Sequence, residues 1–325
     1  MLTLSVTEPN PKDPVAAIDL REKDAPVAPE GWATVDVRTA ALNHHDVWSL
    51  RGALDRSWLP LVLGSDGAGV DQDGNEVILY PLIADAGRGG GDETLDPQGM
   101  MLSSGIDGTF AGQVVVPRRN LIPKPAELSW EAAGSLGTAW LTAYRMLFSG
   151  AGLTPGSTVL VQGAGGGVAT ALIAIGRASG LRVWVASEDA GKRARAVDEL
   201  GAHAAFSRET RLPERVDAVM ETVGEATWGH SLRAVRPGGK VVVSGATTGP
   251  NPPADLTRVF LPQVSIVGAT MGTRVELERL IRLCVTTGIA PTIDATFALG
   301  EAHAGVERMV SNRTFGKVVF DCTAA

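Results

Sequence analysis

Four of the five residues from 163 to 167 are glycine, within the run VLVQGAGGGVATALIAIGRASG at 159–180. The apolar stretch Ser157–Gly163 reads as a strand leading into them, and Gly167–Ser179 reads as a helix leading away. Glycines in that position let a backbone turn tightly and come close to a pyrophosphate, while the helix start offers free N–H groups and the positive end of a dipole. The chemistry is dinucleotide binding, with Gly165, Gly166, Gly167 and Val168 as the residues to make it. Set against G-x-G-x-x-G, the best register puts Ala164, Gly166 and Ala169 at the three glycine places. A plain glycine turn is the alternative reading.

The next strand, Leu181–Ala186, ends at Ser187, with Glu188, Asp189, Lys192 and Arg193 behind it. A site for NAD places an acidic residue at such a strand end to hold the ribose 2′-hydroxyl. A hydroxyl at Ser187 with Lys192 close behind suits a 2′-phosphate instead, with Arg193 to assist and Glu188 as a dissenting charge. The expected cofactor is NADP(H). A second group with chemical capacity is His44, His45 and Asp46, in ALNHHDVWSLRG at 41–52. Histidine titrates near neutrality, so His45 is a candidate proton donor, or else a loop residue contacting phosphate or backbone. The two cysteines, Cys284 and Cys322, are too few for a disulfide framework and read as small buried residues.

These groups need elements to hold them, and the 325 residues are enough for about two domains. Residues 1–125 read as short strands between turns, among them Trp32–Thr39, Glu76–Tyr80 and Gln113–Pro117. Asp85–Gln98, rich in glycine and acid, reads as a mobile loop. Beyond Pro125 a helix over Trp130–Gly150 precedes alternating apolar strands and helices, the pattern of βαβ units around a buried parallel sheet. The fold class is α/β. The tail offers two helices and a last strand, Lys317–Phe320. A net charge of −7 without a Lys/Arg block disfavours nucleic acid. No apolar run reaches the roughly 18–20 residues of a membrane helix, and the first residues lack the form of a signal peptide, so the cytoplasm is expected.

With these residues in hand, the chain resembles the medium-chain dehydrogenase/reductase superfamily, in its zinc-less quinone oxidoreductase-like branch. The landmarks fall in family order: ALNHHDVWSLRG, LVLGSDGAG at 61–69, DGTFAGQVVVP at 107–117, LTAYRML at 141–147, GAGGGVA at 163–169, RPGGKVVVSG at 236–245, VGAT at 267–270 and GKVVFD at 316–321. The resemblance implies a Rossmann doubly wound parallel sheet over 126–271. It implies a discontinuous, mostly-β, GroES-like catalytic domain over 1–125 and 272–325, with the active site in the cleft between the domains. A homodimer through the edge strand at 264–269 is implied as well.

The resemblance also assigns roles. Zinc-dependent relatives carry a cysteine where this chain has Asn43 and a histidine where it has Ser65, and no cysteine lies near 134–142, so no metal is expected. Asn43 is expected to hydrogen-bond in the active site, Asp46 to order its loop, and His45 to stand where zinc enzymes keep a relay hydroxyl. Ser65, Tyr80 and Trp140 are expected to border the substrate, with a packed strand residue the equal alternative for Tyr80. The expected cofactor contacts are Thr138, Thr142, Thr222, Val223, Gly245, Ala246, Gly268, Ala269 and Thr270. Arg208 stands where related quinone reductases keep a tyrosine beside the 2′-phosphate, and Asn312 and Lys317, in the final strand region, are candidates to reach the cofactor, with a structural salt bridge the alternative for Lys317.

Without a Lewis acid an alcohol is hard to oxidise, whereas an electron-poor acceptor needs only to be held against the nicotinamide. The leading expectation is an NADPH-dependent reductase of a small apolar quinone or α,β-unsaturated carbonyl. An enoyl-thioester reductase is the alternative, although such relatives use a tyrosine acid in the segment matching 43–56 and this chain has none there. A non-catalytic NADPH-binding redox sensor is the third reading.

Overall fold

A computed structural model describes residues 1–323. The chain divides into two compact units. One comprises Met1–Thr138, Thr273–Thr286 and Ala290–Ala325; the other comprises Ala139–Gly272 and Thr287–Ile289. Residues 126–138, which the resemblance assigns to the second domain, group by contacts with the first unit. Among the described residues no helix is long and apolar enough to cross a membrane.

The first unit is built on a seven-stranded sheet. Its order is Leu121–Pro123, Glu76–Leu79, Asp66–Asp71, Trp32–Ala41, Lys317–Asp321 and Ile293–Ala298, with Gln113–Pro117 also paired to Trp32–Ala41. The last strand of the chain thus returns to the middle of the first sheet, Phe320 opposite Ala40. The pairs are antiparallel except Ile293–Ala298 with Lys317–Asp321. Val35, Val37, Leu63, Val318 and Phe320 form the core with Phe110, whose ring meets that of Phe320 edge-on at 5.0 Å. The long burial of Trp32–Ala41 follows its alternation, Ala33, Val35 and Val37 facing inward.

The segment 85–98, expected as a mobile loop, carries an internal brace of hydrogen bonds. The Asp96 carboxylate is enclosed and accepts from the Asp85 and Gln98 amides and from Arg88 Nε and Nη2, at 2.6–2.9 Å. Glu93 in turn accepts the Arg274 amide at 2.7 Å.

In the second unit six parallel strands run in the order Ala204–Phe206, Arg182–Ala186, Thr158–Gln162, Val216–Glu221, Val235–Val243 and Ser265–Gly268. Counted along the chain this is 3-2-1-4-5-6, the doubly wound dinucleotide-binding order, whose ligand crevice opens at the carboxyl ends of strands 1 and 4. Leu160, Trp184, Val219, Trp228 and Val241 fill its core. The helix expected over Trp130–Gly150 is broken. Trp130–Ala133 is separate, and π-helical turns at Leu136–Trp140 and Met146–Gly150 flank the α-helical Leu141–Arg145.

Candidate active site

At the switch point of the parallel sheet, Thr158–Gln162 passes into the glycine loop. Gly163 has φ +85°, so it makes the tight turn, a conformation Ala164 would adopt only with strain. The register is therefore Gly163-Ala164-Gly165-Gly166-Gly167-Val168, one residue earlier than the sequence motif suggests. Gly166 caps the helix Gly167–Ala178 without a side chain, leaving the amides of Gly167, Val168 and Ala169 with no intrahelical acceptor. A Cβ at Gly166 would meet nothing within 4 Å, so open space lies over those amides. A phosphate fits there.

Opposite, Glu221 ends the strand Val216–Glu221 and is wholly buried. Its carboxylate accepts from the Val223 amide at 2.8 Å, the Gly224 amide at 3.1 Å, Thr227 Oγ1 at 2.8 Å and Ser231 Oγ at 2.6 Å. This fixes the loop of Thr222 and Val223. The loop after the next strand rests on it: a Cβ at Gly245 would lie 2.9 Å from the Thr222 carbonyl, Ala246 abuts Gly224, and the Thr248 amide donates to the Val223 carbonyl at 2.8 Å. Gly268 ends the sixth strand and Ala269 and Thr270 follow it, the Ala269 amide bonding the Val243 carbonyl. Thr142 and Trp140 are buried in their helix, Trp140 to 1% exposure.

At the second strand end, the Glu188 carboxylate accepts from both the amide and Nε of Arg208, each at 2.9 Å. The Arg208 amide and then its guanidinium hold that carboxyl below its ordinary range. The dissenting charge is thus neutralised by the arginine expected at the 2′-phosphate. Arg193 Nη1 donates to the Ser187 carbonyl at 2.6 Å, and the Lys192 amide is capped by Asp189. Ser187, Lys192, Arg193 and Arg208 gather at one strand end.

The first unit holds a different cluster. Asn43 precedes the short helix His44–Leu50, and its amide donates to Asp46 Oδ2 at 2.8 Å, half of a capping box. Asp46 Oδ1 accepts the Gly64 amide at 3.1 Å, so this carboxylate ties the helix start to the residue before Ser65. Burial pushes the Asp46 carboxyl up, against the opposing charge of His45. Lys317, 2% exposed, donates to Asn43 Oδ1 at 2.6 Å, the Leu42 carbonyl at 2.9 Å and Asp66 Oδ2 at 3.0 Å. All three of its N–H groups are used, so Lys317 belongs to this cluster and not to a cofactor. Asn43 Nδ2 spends its two hydrogens on Asp66 Oδ2 at 3.0 Å and the Ala41 carbonyl at 3.2 Å, with Ser65 Oγ a longer contact at 3.4 Å, and Ser65 Oγ lies 3.1 Å from Thr138 Oγ1. Gly137 must be small, because a Cβ there would stand 3.0 Å from Asp66 Oδ1.

The remaining expected residues stand apart from it. His45 Nε2 is 3.4 Å from the Ser103 carbonyl, at the cluster's edge. Tyr80 is buried, with its hydroxyl on Glu93 at 3.4 Å, and burial first, then Glu93, raises its pKa strongly. Asn312, at φ +55°, closes the helix Ala302–Val310 in the left-handed conformation that asparagine tolerates. Glu221 and the anchoring part of Asp66 were missed in the sequence. Only the N-x-x-D spacing of Asn43 and Asp46 carried a readable local signal.

Asn43, Ser65 and Thr138 offer an amide and two hydroxyls, and Lys317 occupies the acceptors of Asn43 and Asp66. That donor set does not fit a zinc ion, which wants thiolate, imidazole or carboxylate in a tetrahedron. Among the described residues no three His, Cys, Asp or Glu side chains gather to hold a metal.

Residues 29–126 match the family "Alcohol dehydrogenase GroES-like domain" and residues 167–286 the family "Zinc-binding dehydrogenase". The chain is 29% identical to an acryloyl-coenzyme A reductase of Metallosphaera sedula over 93% of this chain and 95% of that protein. Among solved structures it is similar to an NAD-dependent alcohol dehydrogenase, with TM-score 0.90, 29% identity and 99% of each chain covered. It is also similar to a 2-octenoyl-CoA carboxylase reductase in complex with NADP and 2-octenoyl-CoA, with TM-score 0.91, 25% identity, and 99% of this chain and 88% of that one covered.

Proposed function

Since the chain belongs to the medium-chain dehydrogenase/reductase superfamily, we propose that it is an NADPH-dependent, zinc-independent reductase of enoyl thioesters. The observation that carries this reading is the end-to-end likeness to proteins named for enoyl-thioester reduction, one of them bound to NADP and an enoyl-CoA. The strand-end arginines and Lys192 support the 2′-phosphate, and the Gly166–Ala169 amides support the pyrophosphate. Bound NADPH supplies hydride. The chain's own contribution is a cluster of hydrogen-bond donors lacking ligands for zinc, which suits an acceptor that is already electron-poor. An enoyl thioester is an α,β-unsaturated carbonyl, so this narrows the expectation from sequence; nothing in the site favours a quinone over it.

The test is NADPH oxidation by the purified protein, followed by nicotinamide absorbance, with crotonyl-CoA, phenanthrenequinone and no acceptor in parallel. Faster turnover of crotonyl-CoA supports the reading. Turnover of the quinone alone would return the function to quinone reduction, and tight NADPH binding with no turnover of either would favour a sensor.

The molecule also pairs with a second copy, on this reading, through the edge strand Ser265–Gly268. Its support is the exposed Ile266, at 45%, beside exposed Leu256, Phe260 and Leu261. An edge strand with apolar neighbours is a template for pairing. Sedimentation of the wild type against Ile266→Asp tests it, a monomer in both cases counting against it.

A further inference from the structure

The direction of the hydrogen bonds around Asn43 decides what Thr138 can do. Lys317 only donates, so the Asn43 atom 2.6 Å from its Nζ must be the carbonyl oxygen, and the amide nitrogen must face Ser65. Ser65 Oγ therefore meets in Asn43 a nitrogen that cannot accept, at 3.4 Å. Its own hydrogen, at a residue that is fully buried, has one acceptor among the described residues, Thr138 Oγ1 at 3.1 Å. The reverse orientation would leave a buried hydroxyl hydrogen unmade, which is expensive. Thr138 is only half-buried, and its hydroxyl has no other side-chain or backbone partner among the described residues. With Ser65 as the donor, the Thr138 hydrogen has no acceptor among the described residues and is free to meet a ligand.

We propose that Ser65, left with Thr138 as its acceptor because Lys317 fixes the Asn43 amide with its nitrogen toward Ser65, orients the Thr138 hydroxyl as the donor to the substrate's carbonyl oxygen. This rests on the enoyl-thioester reading and gives it an oxyanion donor. When hydride adds to the β-carbon, the C=C pair shifts to join the α-carbon to the carbonyl carbon. The carbonyl pair then moves to oxygen. The charge that develops there is met by Thr138 O–H, which donates without losing its proton; a proton from water later joins the α-carbon, and NADPH is the reductant. Ser65 donates to Thr138 and Thr138 to the substrate, so these two links polarise one another. Donors aimed at developing charge are worth most in a site that excludes water. Thr138, and not the enclosed Tyr80, is on this argument the catalytic hydroxyl; Lys317, Asn43 and Ser65 are positioning residues.

The experiment compares wild type with Thr138→Val, Thr138→Ser and Ser65→Ala. It measures kcat with crotonyl-CoA, NADPH affinity by fluorescence, and the carbonyl stretch of crotonyl-CoA bound with NADP⁺ by difference Raman spectroscopy. Thr138→Val should lower kcat about 100-fold with NADPH affinity unchanged, and should abolish a downshift of the carbonyl stretch. Thr138→Ser should restore most of both, and Ser65→Ala should fall between. Turnover and carbonyl shift that survive Thr138→Val would overturn this inference alone. A wild type that never reduces an enoyl thioester would overturn the functional reading and this inference with it.

Discussion

Lys317 Nζ lies 2.6 Å from Asn43 Oδ1 and 3.0 Å from Asp66 Oδ2, enclosed with both. A buried pair broken on one side leaves an unpaired charge, which costs about 3–5 kcal/mol. Lys317→Met should therefore destabilise the protein by that amount in urea unfolding, and adding Asp66→Asn should recover part of it. A loss under about 1 kcal/mol, the range of an exposed pair, would mean that the cluster is wet and loosely held.

That contact joins residues 274 positions apart, which is why no local pattern revealed it. The nucleotide loop was legible because strand, glycines and helix are consecutive; only its register needed the observed φ of Gly163. The strand Ile293–Ala298 was not legible, because its burial does not alternate cleanly and its partner, Lys317–Asp321, holds it in parallel from a distant part of the chain. Ala204–Phe206 is three partly buried residues, too short to show a period. The helix His44–Leu50 was hidden among strands, though Asn43 and Asp46 carried its cap. For Lys317 the sequence left cofactor contact and a structural salt bridge open; burial beside Asp66 decides for the salt bridge, a partner that no local spacing names.

Arg208 should discriminate the cofactors. With Glu188 beside it, the guanidinium cancels a carboxylate that would repel a 2′-phosphate. Arg208→Ala should weaken NADPH binding at least about tenfold, the equivalent of ~1.4 kcal/mol, and leave NADH binding nearly unchanged. Glu188→Gln should tighten NADPH. Fluorescence titration with both cofactors reads this directly, and equal weakening of the two by Arg208→Ala would remove the 2′-phosphate from the argument.

Glu221 has no cofactor contact to lose by itself, yet it should control NADPH affinity. Its carboxylate holds the amides of Val223 and Gly224 and the hydroxyls of Thr227 and Ser231. Glu221→Ala leaves four donors, three of them buried, without their acceptor, at about 1–3 kcal/mol for each buried one that finds no water. The expected result is a lowered Tm together with weaker NADPH binding, while Glu221→Gln, which keeps one acceptor oxygen, should be intermediate in both. An alanine variant with a lowered Tm and unchanged NADPH affinity would show that the 222–224 loop does not form the nucleotide site.

The brace at 85–98 should be sensitive to acid in one direction only. Arg88, bonded to the enclosed Asp96 carboxylate through Nε and Nη2, holds that carboxyl well below the usual carboxylate range. A depressed folded pKa means that the folded state binds the proton less readily than the unfolded chain. The contribution is complete above the ordinary carboxylate value of about 3.9 and fades as pH falls below it toward the folded value. Hydrogen exchange at the Asp85 and Gln98 amides, which Asp96 accepts, should thus stay protected, after correction for intrinsic rates, from neutral pH down to about 4, and lose protection only below that. Asp96→Asn should already exchange faster at neutral pH, since it forfeits the charge that holds Arg88. Equal protection in the variant would leave the brace to Glu93 and Arg274, whose amide contact at 2.7 Å does not involve Asp96.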